Sequence, residues 1–278
     1  MNKKRLLESS SNVYSQNGED GIIEKIFETI GTTSRTCIEI GAWDGFHLSN
    51  TANLWTTGWK GILIEGVKSR FEKLKNNVKD YNCICINAFV SREGNNTLDA
   101  IVGRAGIDSN VDLLSIDIDG DDYYIFKSLD LCRPRVVICE YNPTIPAEIE
   151  IFAEYGSCFG ASVAALCSLA EKKAYSLVAL TETNCFFVQN DLASAFAEYE
   201  TRIENIKINK HLIYLATSYA GDYVVCGTAA YGISVPYNGK LFGLFSHFPI
   251  GWSLRSLVIK LHRALKAKLN NTLSVRKY

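Results

Sequence analysis

The stretch TCIEIGAWDGFHLSN (residues 36–50) decides the fold, together with GILIEG (residues 61–66) further along the chain. The first stretch begins as an apolar strand and opens into a turn that contains Gly41 and Gly45. The second is another apolar strand, and it brings Glu65 to its end, twenty residues after Gly45. In a doubly wound sheet this arrangement holds an adenosine, because the glycines let a ligand approach the backbone and the carboxylate accepts the ribose hydroxyls. The sequence therefore predicts a nucleoside cofactor site.

Asp44 lies inside that turn and helps to choose between two adenosine cofactors. A carboxylate there would repel the pyrophosphate of NAD, and the turn also lacks the G-x-G-x-x-G pattern of dinucleotide sites. S-adenosylmethionine carries a sulfonium and an ammonium, which Asp44 and Glu39 on the preceding strand would attract. The simpler alternative is a tight loop in which Asp44 caps the next helix. We favour S-adenosylmethionine because a strand precedes the turn and Glu65 follows it.

Composition limits the classes of protein to which the chain can belong. Its 278 residues are 47% hydrophobic, and 29 basic against 30 acidic residues give a net charge of -1, which argues against a nucleic-acid binder. The nine cysteines are spread out, with no C-x-x-C pair, so they indicate buried thiols in a reducing compartment. We see no signal-peptide core and no run of transmembrane length, and we expect a cytoplasmic protein.

Apolar strands alternate with helical segments along the first two thirds of the chain. Predicted strands span residues 36–42, 61–66, 83–90, 111–119 and 135–142, and predicted helices span 19–30, 68–79, 121–130 and 161–173. Segments 175–183 and 184–191 follow with a very short turn, which indicates an antiparallel hairpin. The fold class predicted is therefore α/β, with a Rossmann-like, seven-stranded, doubly wound sheet, mostly parallel with a C-terminal antiparallel hairpin.

The remaining residues, 192–278, form a predicted helical or irregular C-terminal extension after a domain at 1–191, and this extension could cap the substrate site. No acid follows Asp222, whereas eight basic residues do, and leucines recur at helical spacing over about 253–269. This predicts a basic amphipathic helix. It could lie on an anionic membrane surface as a peripheral contact, or pack on the protein's own body or on the second subunit of a homodimer. We favour packing, because most amphipathic helices face their own core.

Acidic residues follow two predicted neighbouring strands. SIDIDGDDYY (residues 115–124) and CEYNP (139–143) place Asp117, Asp119, Glu140 and Asn142 at one sheet edge, where ligands bind. Crowded carboxylates raise one another's pKa, which suits a general base. Alternatively, these oxygen ligands could hold Mg²⁺ or a similar hard cation. The simplest alternative is a turn whose acids at 121–122 cap the next helix.

Several motifs together resemble a known family. They are YSQNGEDGIIEKIF (14–27), CIEIGAWDGFHLSNTANL (37–54), GWKGILIEG (58–66), DLLSIDIDGDDYYI (112–125), PRVVICEYNP (134–143), FGAS (159–162) and NCFFVQND (184–191). In this order, over roughly residues 14–191, they resemble the FkbM-like S-adenosylmethionine-dependent methyltransferases, which are class I enzymes. The resemblance implies an O-methyltransferase, since many members act on sugars of surface polysaccharides or on secondary metabolites.

The resemblance also implies roles for individual residues. The methionine part of the cofactor would lie near Glu39 and the turn, the ribose on Glu65, and the sulfonium beside Asp117. The predicted cofactor-binding residues are Gln16, Glu39, Gly41, Asp44, Gly45, Asn50, Glu65, Ala88, Phe89 and Asp117, with Ala88 and Phe89 beside the adenine. The N-terminal Gln16, Glu19 and Asp20 would close over the site.

The predicted catalytic acids are Asp117, Asp119 and Glu140. Some related enzymes hold a divalent metal, Mg or Mn, between acids of this kind, which implies Asp117, Glu140 and Asn142 as ligands here. However, those enzymes often show an Asp-Asp or Asp-Asn pair where this chain has Glu140 and Asn142.

Two other functions compete with methyl transfer. One is an NAD-dependent oxidoreductase on the same sheet. The other is a non-catalytic, membrane-associated scaffold, which only the basic C-terminal helix supports. We expect a small-molecule or saccharide acceptor and no nucleic-acid partner. The sequence does not identify the acceptor, because fold does not fix function.

Overall fold

The computed structural model describes residues 3–212, and beyond them residues 214–217, 219, 223–226 and 237–238. The described chain falls into two units, which are treated separately. The larger contains everything up to residue 212, and the smaller is a three-stranded antiparallel sheet. The predicted amphipathic helix at 253–269 lies outside the described residues. Among the described residues, no helix is long and apolar enough to cross a membrane.

The larger unit is built on a seven-stranded sheet in the order β3-β2-β1-β4-β5-β7-β6. Its strands are β1 (Thr36–Ile40), β2 (Lys60–Glu65), β3 (Cys83–Asn87), β4 (Leu113–Ile116), β5 (Val136–Glu140), β6 (Tyr175–Leu180) and β7 (Asn184–Gln189). The first five are parallel, whereas β7 runs antiparallel to both β5 and β6. The strand order reverses between β1 and β4, because the chain runs outward from β1 to β3 and then returns to the other side of β1 as β4. A crevice forms at this reversal, and ligands of open α/β sheets usually bind there.

Helices cover both faces of this sheet. They are α1 (Glu19–Ile30), α2 (Ala52–Thr56), α3 (Lys68–Asn77), α4 (Leu98–Arg104), α5 (Asp122–Ser128), α6 (Val163–Lys172) and α7 (Ile203–Ile206), with short 3-10 turns at Leu6–Ser9, Gly94–Asn96 and Ala193–Phe196. Thr97 and Ser162 begin α4 and α6 by accepting hydrogen bonds from the amides three residues ahead. Such caps satisfy amides that have no partner within the helix.

The core consists of two layers, one on each face of the sheet. Alternate residues of each strand enter opposite layers, as the period of two requires. In β1, for example, Ile38 and Ile40 pack with α4, α5 and α6, whereas Cys37 packs with α1 and α2. Because both faces are covered, β1 and β4 are buried along their whole length, which is why these strands appear in the sequence as continuous apolar runs.

The smaller unit contains β8 (Tyr214–Thr217), β9 (Tyr223–Cys226) and β10 (Tyr237–Asn238). The strands pair antiparallel in the order β10-β9-β8.

The predicted fold class is confirmed, including the parallel strands and the closing hairpin. The sequence analysis missed α2 and α4, which are five and seven residues long and too short to show a clear helical period. It was also wrong for the smaller unit, where β8, β9 and β10 form a sheet in a segment that was predicted to be helical or irregular. The eight cysteines whose side chains are described are free thiols, and four of them are buried.

Candidate functional site

The carboxyl ends of β1, β2, β4 and β5 meet at one edge of the sheet, because these strands are parallel and neighbouring. The segments that leave this edge are the turn at 41–45, the residues around Glu65, the acidic loop at 117–122 and the residues after Glu140. The hairpin between β6 and β7 reaches the same edge, since Asn184 of β7 pairs with Glu140. Sequence segments far apart therefore surround one crevice.

The turn after β1 depends on its two glycines. Gly41 has φ +86° and Gly45 has φ +93°, in the left-handed region that favours glycine. A Cβ on Gly41 would overlap the backbone carbonyl oxygen of Asp117, so the turn and the end of β4 are in direct backbone contact. A Cβ on Gly45 would press against Val78 and Leu74 of the α3 region. The glycines thus draw the turn tightly onto its neighbours and leave backbone groups at the edge.

Asp44 faces its own loop. Its Oδ1 accepts hydrogen bonds from the backbone amides of Phe46 at 3.1 Å and His47 at 2.9 Å. Asn77 of α3 donates to the backbone carbonyl of Asp44 at 2.9 Å. The structure therefore shows the simpler alternative of the sequence analysis, a loop carboxylate that satisfies local amides. Its other oxygen and its half-buried position leave a ligand contact available.

Glu39 and Asn50 hold the segment that follows the turn. The Glu39 carboxylate is buried and accepts from Ser49 Oγ at 2.6 Å, Thr51 Oγ1 at 2.7 Å and the Asn50 amide at 2.9 Å. Asn50 then donates from Nδ2 to Ser115 Oγ of β4 at 3.1 Å. Burial raises the pKa of Glu39, and these hydrogen bonds oppose that shift. Both residues were predicted to bind the cofactor, and the structure places both in the support beneath the site.

Glu65 ends β2 with a carboxylate that the backbone holds in place. Oε2 accepts from the amide of Trp43 at 3.0 Å, and Oε1 accepts from the amide of Val67 at 2.6 Å. Each oxygen keeps a second acceptor position. Trp43 has φ +46°, which is uncommon for a bulky residue. The predicted ribose acceptor is therefore tied directly to the glycine turn.

Phe89 lies beside Gly66, the residue after Glu65. Phe89 is 69% exposed, and its ring covers Gly66 so closely that a Cβ there would overlap the ring. Ala88, the residue before it, donates its amide to the carbonyl of Glu65 at 3.3 Å. The two residues predicted to lie near the adenine thus adjoin the residue predicted to hold the ribose.

Three acids come together at the ends of β4 and β5. Asp117, Asp119 and Glu140 each place a carboxylate oxygen within 4.8 Å of the others. Burial, together with the charges of Asp122 and Asp119, raises the pKa of Asp117 to about 8. The sequence placed these three acids together. Asn142 instead uses its amide within its own loop, accepting from Thr144 and donating to the Phe159 carbonyl.

Asp122 organises the loop that carries two of these acids. Its Oδ1 accepts from the amide of Ile118 at 3.0 Å, and its Oδ2 accepts from the amide of Gly120 at 2.9 Å. Burial raises its pKa to about 6, although these amides oppose the shift. Asp119, between them, has φ +59°. The carboxylate of Asp122 therefore fixes the strained turn that presents Asp119 to the edge.

The start of α1 contacts the carboxyl edge of the sheet through two acids, Glu19 and Asp20. The sequence analysis predicted only that these residues close over the site. Glu19 is buried and accepts from Thr181 Oγ1 at 2.8 Å and Asn184 Nδ2 at 3.1 Å. Asp20 is also buried, and its Oδ2 accepts from three consecutive amides at residues 13–15. These acids join the N-terminal segment to the β6–β7 hairpin and to the loop before α1. Gln16 is exposed on this segment.

Comparison with known proteins finds a family model and solved structures to which parts of the chain are similar. Residues 87–165 match the model of the methyltransferase FkbM domain. A S-adenosylmethionine-dependent methyltransferase from Clostridium acetobutylicum is 12% identical at a TM-score of 0.40, over 62% of this chain and 90% of that one. Magnesium protoporphyrin IX methyltransferase from Synechocystis, solved with bound SAH, is 9% identical at a TM-score of 0.42, over 62% and 81%. No curated protein matches the chain.

The family match spans the end of β3, the acidic loop after β4, and β5 with the segment behind it. It therefore includes Phe89, Asp117 and Glu140, and it lies within the range over which the sequence motifs resemble the same family. Over residues 87–165 the chain is therefore similar to the methyltransferase FkbM domain.

Proposed function

We propose that this chain is an enzyme that transfers the methyl group of S-adenosylmethionine to a hydroxyl oxygen of a small polar acceptor. The proposed acceptor is a saccharide of surface-polysaccharide or secondary-metabolite biosynthesis, and the proposed location is the cytoplasm. The observation that carries the proposal is the group of three acids at the ends of β4 and β5. They lie beside the glycine turn, because Gly41 contacts the backbone of Asp117. An acceptor hydroxyl placed between the turn and these acids would meet both a methyl donor and a proton acceptor.

The residues at the edge fit S-adenosylmethionine. Glu65 presents acceptor positions for two hydroxyls, and the backbone of the turn is open to close approach because its glycines lack side chains. The nearby acids favour a positively charged ligand. When bound, this cofactor supplies an electrophilic methyl group on a sulfonium. The role of the chain is to hold the acceptor oxygen in line with that methyl group, which lowers the entropic part of the barrier.

Asp117 is the proposed general base. Its pKa of about 8 leaves roughly one tenth of the molecules ionised at pH 7, and those carry a strongly basic carboxylate. Asp117 would accept the proton of the acceptor hydroxyl as the oxygen bonds to the methyl carbon. The bond between that carbon and the sulfur of the cofactor would break, with S-adenosylhomocysteine as the leaving group. Asp119 and Glu140 accept hydrogen bonds from the acceptor and fix its orientation.

A second candidate mechanism places a divalent cation among the same acids. Oxygen donors at this separation suit Mg²⁺ or Mn²⁺. A cation there would lower the pKa of the acceptor hydroxyl and would also neutralise the repulsion between the carboxylates. The ligands would be Asp117, Asp119 and Glu140, since the amide of Asn142 is engaged elsewhere.

One assay tests both mechanisms. Release of S-adenosylhomocysteine is followed with a panel of monosaccharides and nucleotide sugars, with and without EDTA, and with Mn²⁺ restored. Loss of turnover with EDTA that Mn²⁺ restores supports the cation, and turnover that EDTA leaves unchanged supports the carboxylate base. Full turnover by Asp117→Ala would overturn the role given to that residue.

Direct binding measurements distinguish methyl transfer from the competing functions. Calorimetry should show that S-adenosylhomocysteine binds and that NADH does not, because the turn carries Asp44 where a pyrophosphate would lie. Preference for NADH would support the oxidoreductase instead. If no adenosyl ligand binds and the protein cosediments with anionic vesicles, the scaffold function replaces the enzyme.

A further inference from the structure

Exposed aromatic and aliphatic side chains are concentrated in the segment between β5 and α6. Over residues 149–159, which we call the aromatic segment, five large apolar side chains are exposed: Ile149, Ile151, Phe152, Tyr155 and Phe159. Phe159 is 50% exposed and Tyr155 is 38% exposed. Scattered apolar side chains are normal on protein surfaces, but a contiguous group marks a binding surface.

The aromatic segment is fixed to the two loops that carry the acids. Asn142, two residues after Glu140, donates its Nδ2 to the carbonyl of Phe159 at 2.8 Å and its amide to the carbonyl of Ala161 at 2.8 Å. A Cβ on Gly120, the residue after Asp119, would overlap the carbonyl oxygen of Ser157. The segment therefore lies directly beside the proposed reaction centre.

Helix α5 supports the same segment from below. The Tyr124 hydroxyl donates to the carbonyl of Ala153 at 2.9 Å, and the amide of Gly156 donates to Asp121 Oδ1 at 2.7 Å. The rings of Tyr123 and Phe152 are stacked, with centroids 4.3 Å apart and planes inclined by 7°. These contacts hold the exposed rings in set positions, so a ligand that stacks on them has less ordering entropy to overcome.

Arg92 brings a positive charge to this surface. Its guanidinium lies 4.5 Å from the ring centroid of Tyr155 and 5.7 Å from that of Tyr124, which is cation–π geometry. Among the described residues, its ion-pair partner is Glu93, at a long 3.4 Å with both side chains exposed. An exposed ion pair of this kind contributes little to stability. Most donors of the Arg92 guanidinium therefore remain available to a ligand anion.

We propose that the aromatic segment and Arg92 form the acceptor subsite, and that the acceptor is a saccharide bearing a carboxylate or phosphate. This inference rests on the proposed O-methyl transfer to a sugar. The apolar C–H face of a sugar ring packs on Tyr155 or Phe159. Small ligands bind well where aromatic side chains surround a small number of precisely placed polar groups. The anionic group pairs with Arg92, which keeps it away from Asp117 and its neighbouring acids.

Binding of defined probes tests the subsite without requiring turnover. The full chain is titrated with methyl α-D-glucopyranosiduronic acid, α-D-glucose 1-phosphate and neutral methyl α-D-glucopyranoside, and binding is followed by ligand-observed NMR. We expect at least one anionic probe to bind more tightly than the neutral one. Tighter binding of the uronide identifies a carboxylate acceptor, and tighter binding of the phosphate identifies a phosphorylated one.

Variants locate the site. Arg92→Gln should weaken binding of the anionic probe about tenfold, because the variant loses a charge-assisted hydrogen bond. Binding of the neutral probe should stay unchanged. Phe159→Ala should weaken binding of all probes. The hydrogen bond from Asn142 should remain, because it goes to the backbone carbonyl of residue 159. The matched controls are Arg104→Gln, an exposed arginine of α4, and Leu131→Ala, a side chain 77% exposed outside the segment.

The result that would overturn the inference is equal binding of charged and neutral probes, or equal weakening by the variants and their controls. Binding of S-adenosylhomocysteine is measured on every variant and should not change. If wild type fails to bind S-adenosylhomocysteine but the probes still respond to Arg92→Gln, the proposed function fails and the saccharide site stands. If the cofactor binds and the probes show no response, the subsite alone is wrong.

Discussion

Glu65→Ala tests the feature on which the cofactor assignment depends. The Glu65 carboxylate accepts hydrogen bonds from the amides of Trp43 and Val67. In the proposed function, its remaining acceptor positions would also hold the ribose. The substitution removes both. The expected result is a large loss of cofactor affinity with a small loss of stability, because the two effects draw on different hydrogen bonds.

The magnitudes follow from the count of hydrogen bonds. Two hydroxyl contacts to a charged acceptor contribute about 1.5–3 kcal/mol each. Water will fill the space that alanine leaves, so we expect about 2–4 kcal/mol in all, or roughly 30- to 1000-fold in Kd. The stability cost should be about 1–2 kcal/mol, since Trp43 and Val67 lie at the surface and water can reach their amides.

Calorimetry with S-adenosylhomocysteine measures the affinity, and thermal unfolding of the free protein measures the stability. Glu72→Ala is the matched control, because Glu72 is an exposed acid on the neighbouring helix α3. A change in Kd below about threefold for Glu65→Ala, with Glu72→Ala unchanged, would refute the ribose contact. Rescue by Glu65→Asp is not expected, since the shorter side chain cannot reach both amides.

Three further predictions concern the carboxyl edge of the sheet, where the candidate site lies, and the opposite edge. Asp117→Asn should abolish transfer but keep S-adenosylhomocysteine binding. The raised pKa of Asp117, about 8, means that the folded state holds a proton that the unfolded chain loses near pH 4. Its contribution to stability therefore declines as pH rises from about 4 to 8, and thermal melts of Asp117→Asn should lack this decline. Gly41→Ala should unfold the turn locally and prevent binding, since its Cβ overlaps the backbone and φ is +86°; unchanged calorimetry would contradict this. Asp112→Ala should cost about 3–5 kcal/mol in denaturant unfolding, because the buried carboxylate pairs with Arg135 at 2.9 Å and accepts from Thr33, yet the folded variant should keep its cofactor Kd.

Much of the fold was predictable because it depends on local patterns. Parallel strands buried on both faces require continuous apolar runs, and the sequence shows these for β1, β2 and β5. The short elements α2 and α4 were not predictable, because a helix of one or two turns owes its stability to packing rather than to its own period.

The site was predictable in position and less so in detail. Asp117, Asp119 and Glu140 lie together at the sheet edge that was predicted from the ends of the strands. Asp44 and Asn142, by contrast, satisfy their own loops, and no pattern in the sequence states which way a loop side chain turns. Asp122, predicted as a helix cap, fixes the acidic turn through amides on both sides of Asp119.

The sequence by itself determined the sheet, the glycine turn, Glu65 at the end of β2 and Asp117 directly after β4, because hydrophobic period and glycine placement are local properties. Only the tertiary structure decided which acids are buried supports and which are left at the crevice. Glu39 and Glu65 are both glutamates of the last two residues of their strands. The first is enclosed by Ser49 and Thr51, whereas the second keeps acceptor positions beside the turn. That difference arises from segments distant in the chain, whose approach sets burial, hydrogen bonding and therefore pKa.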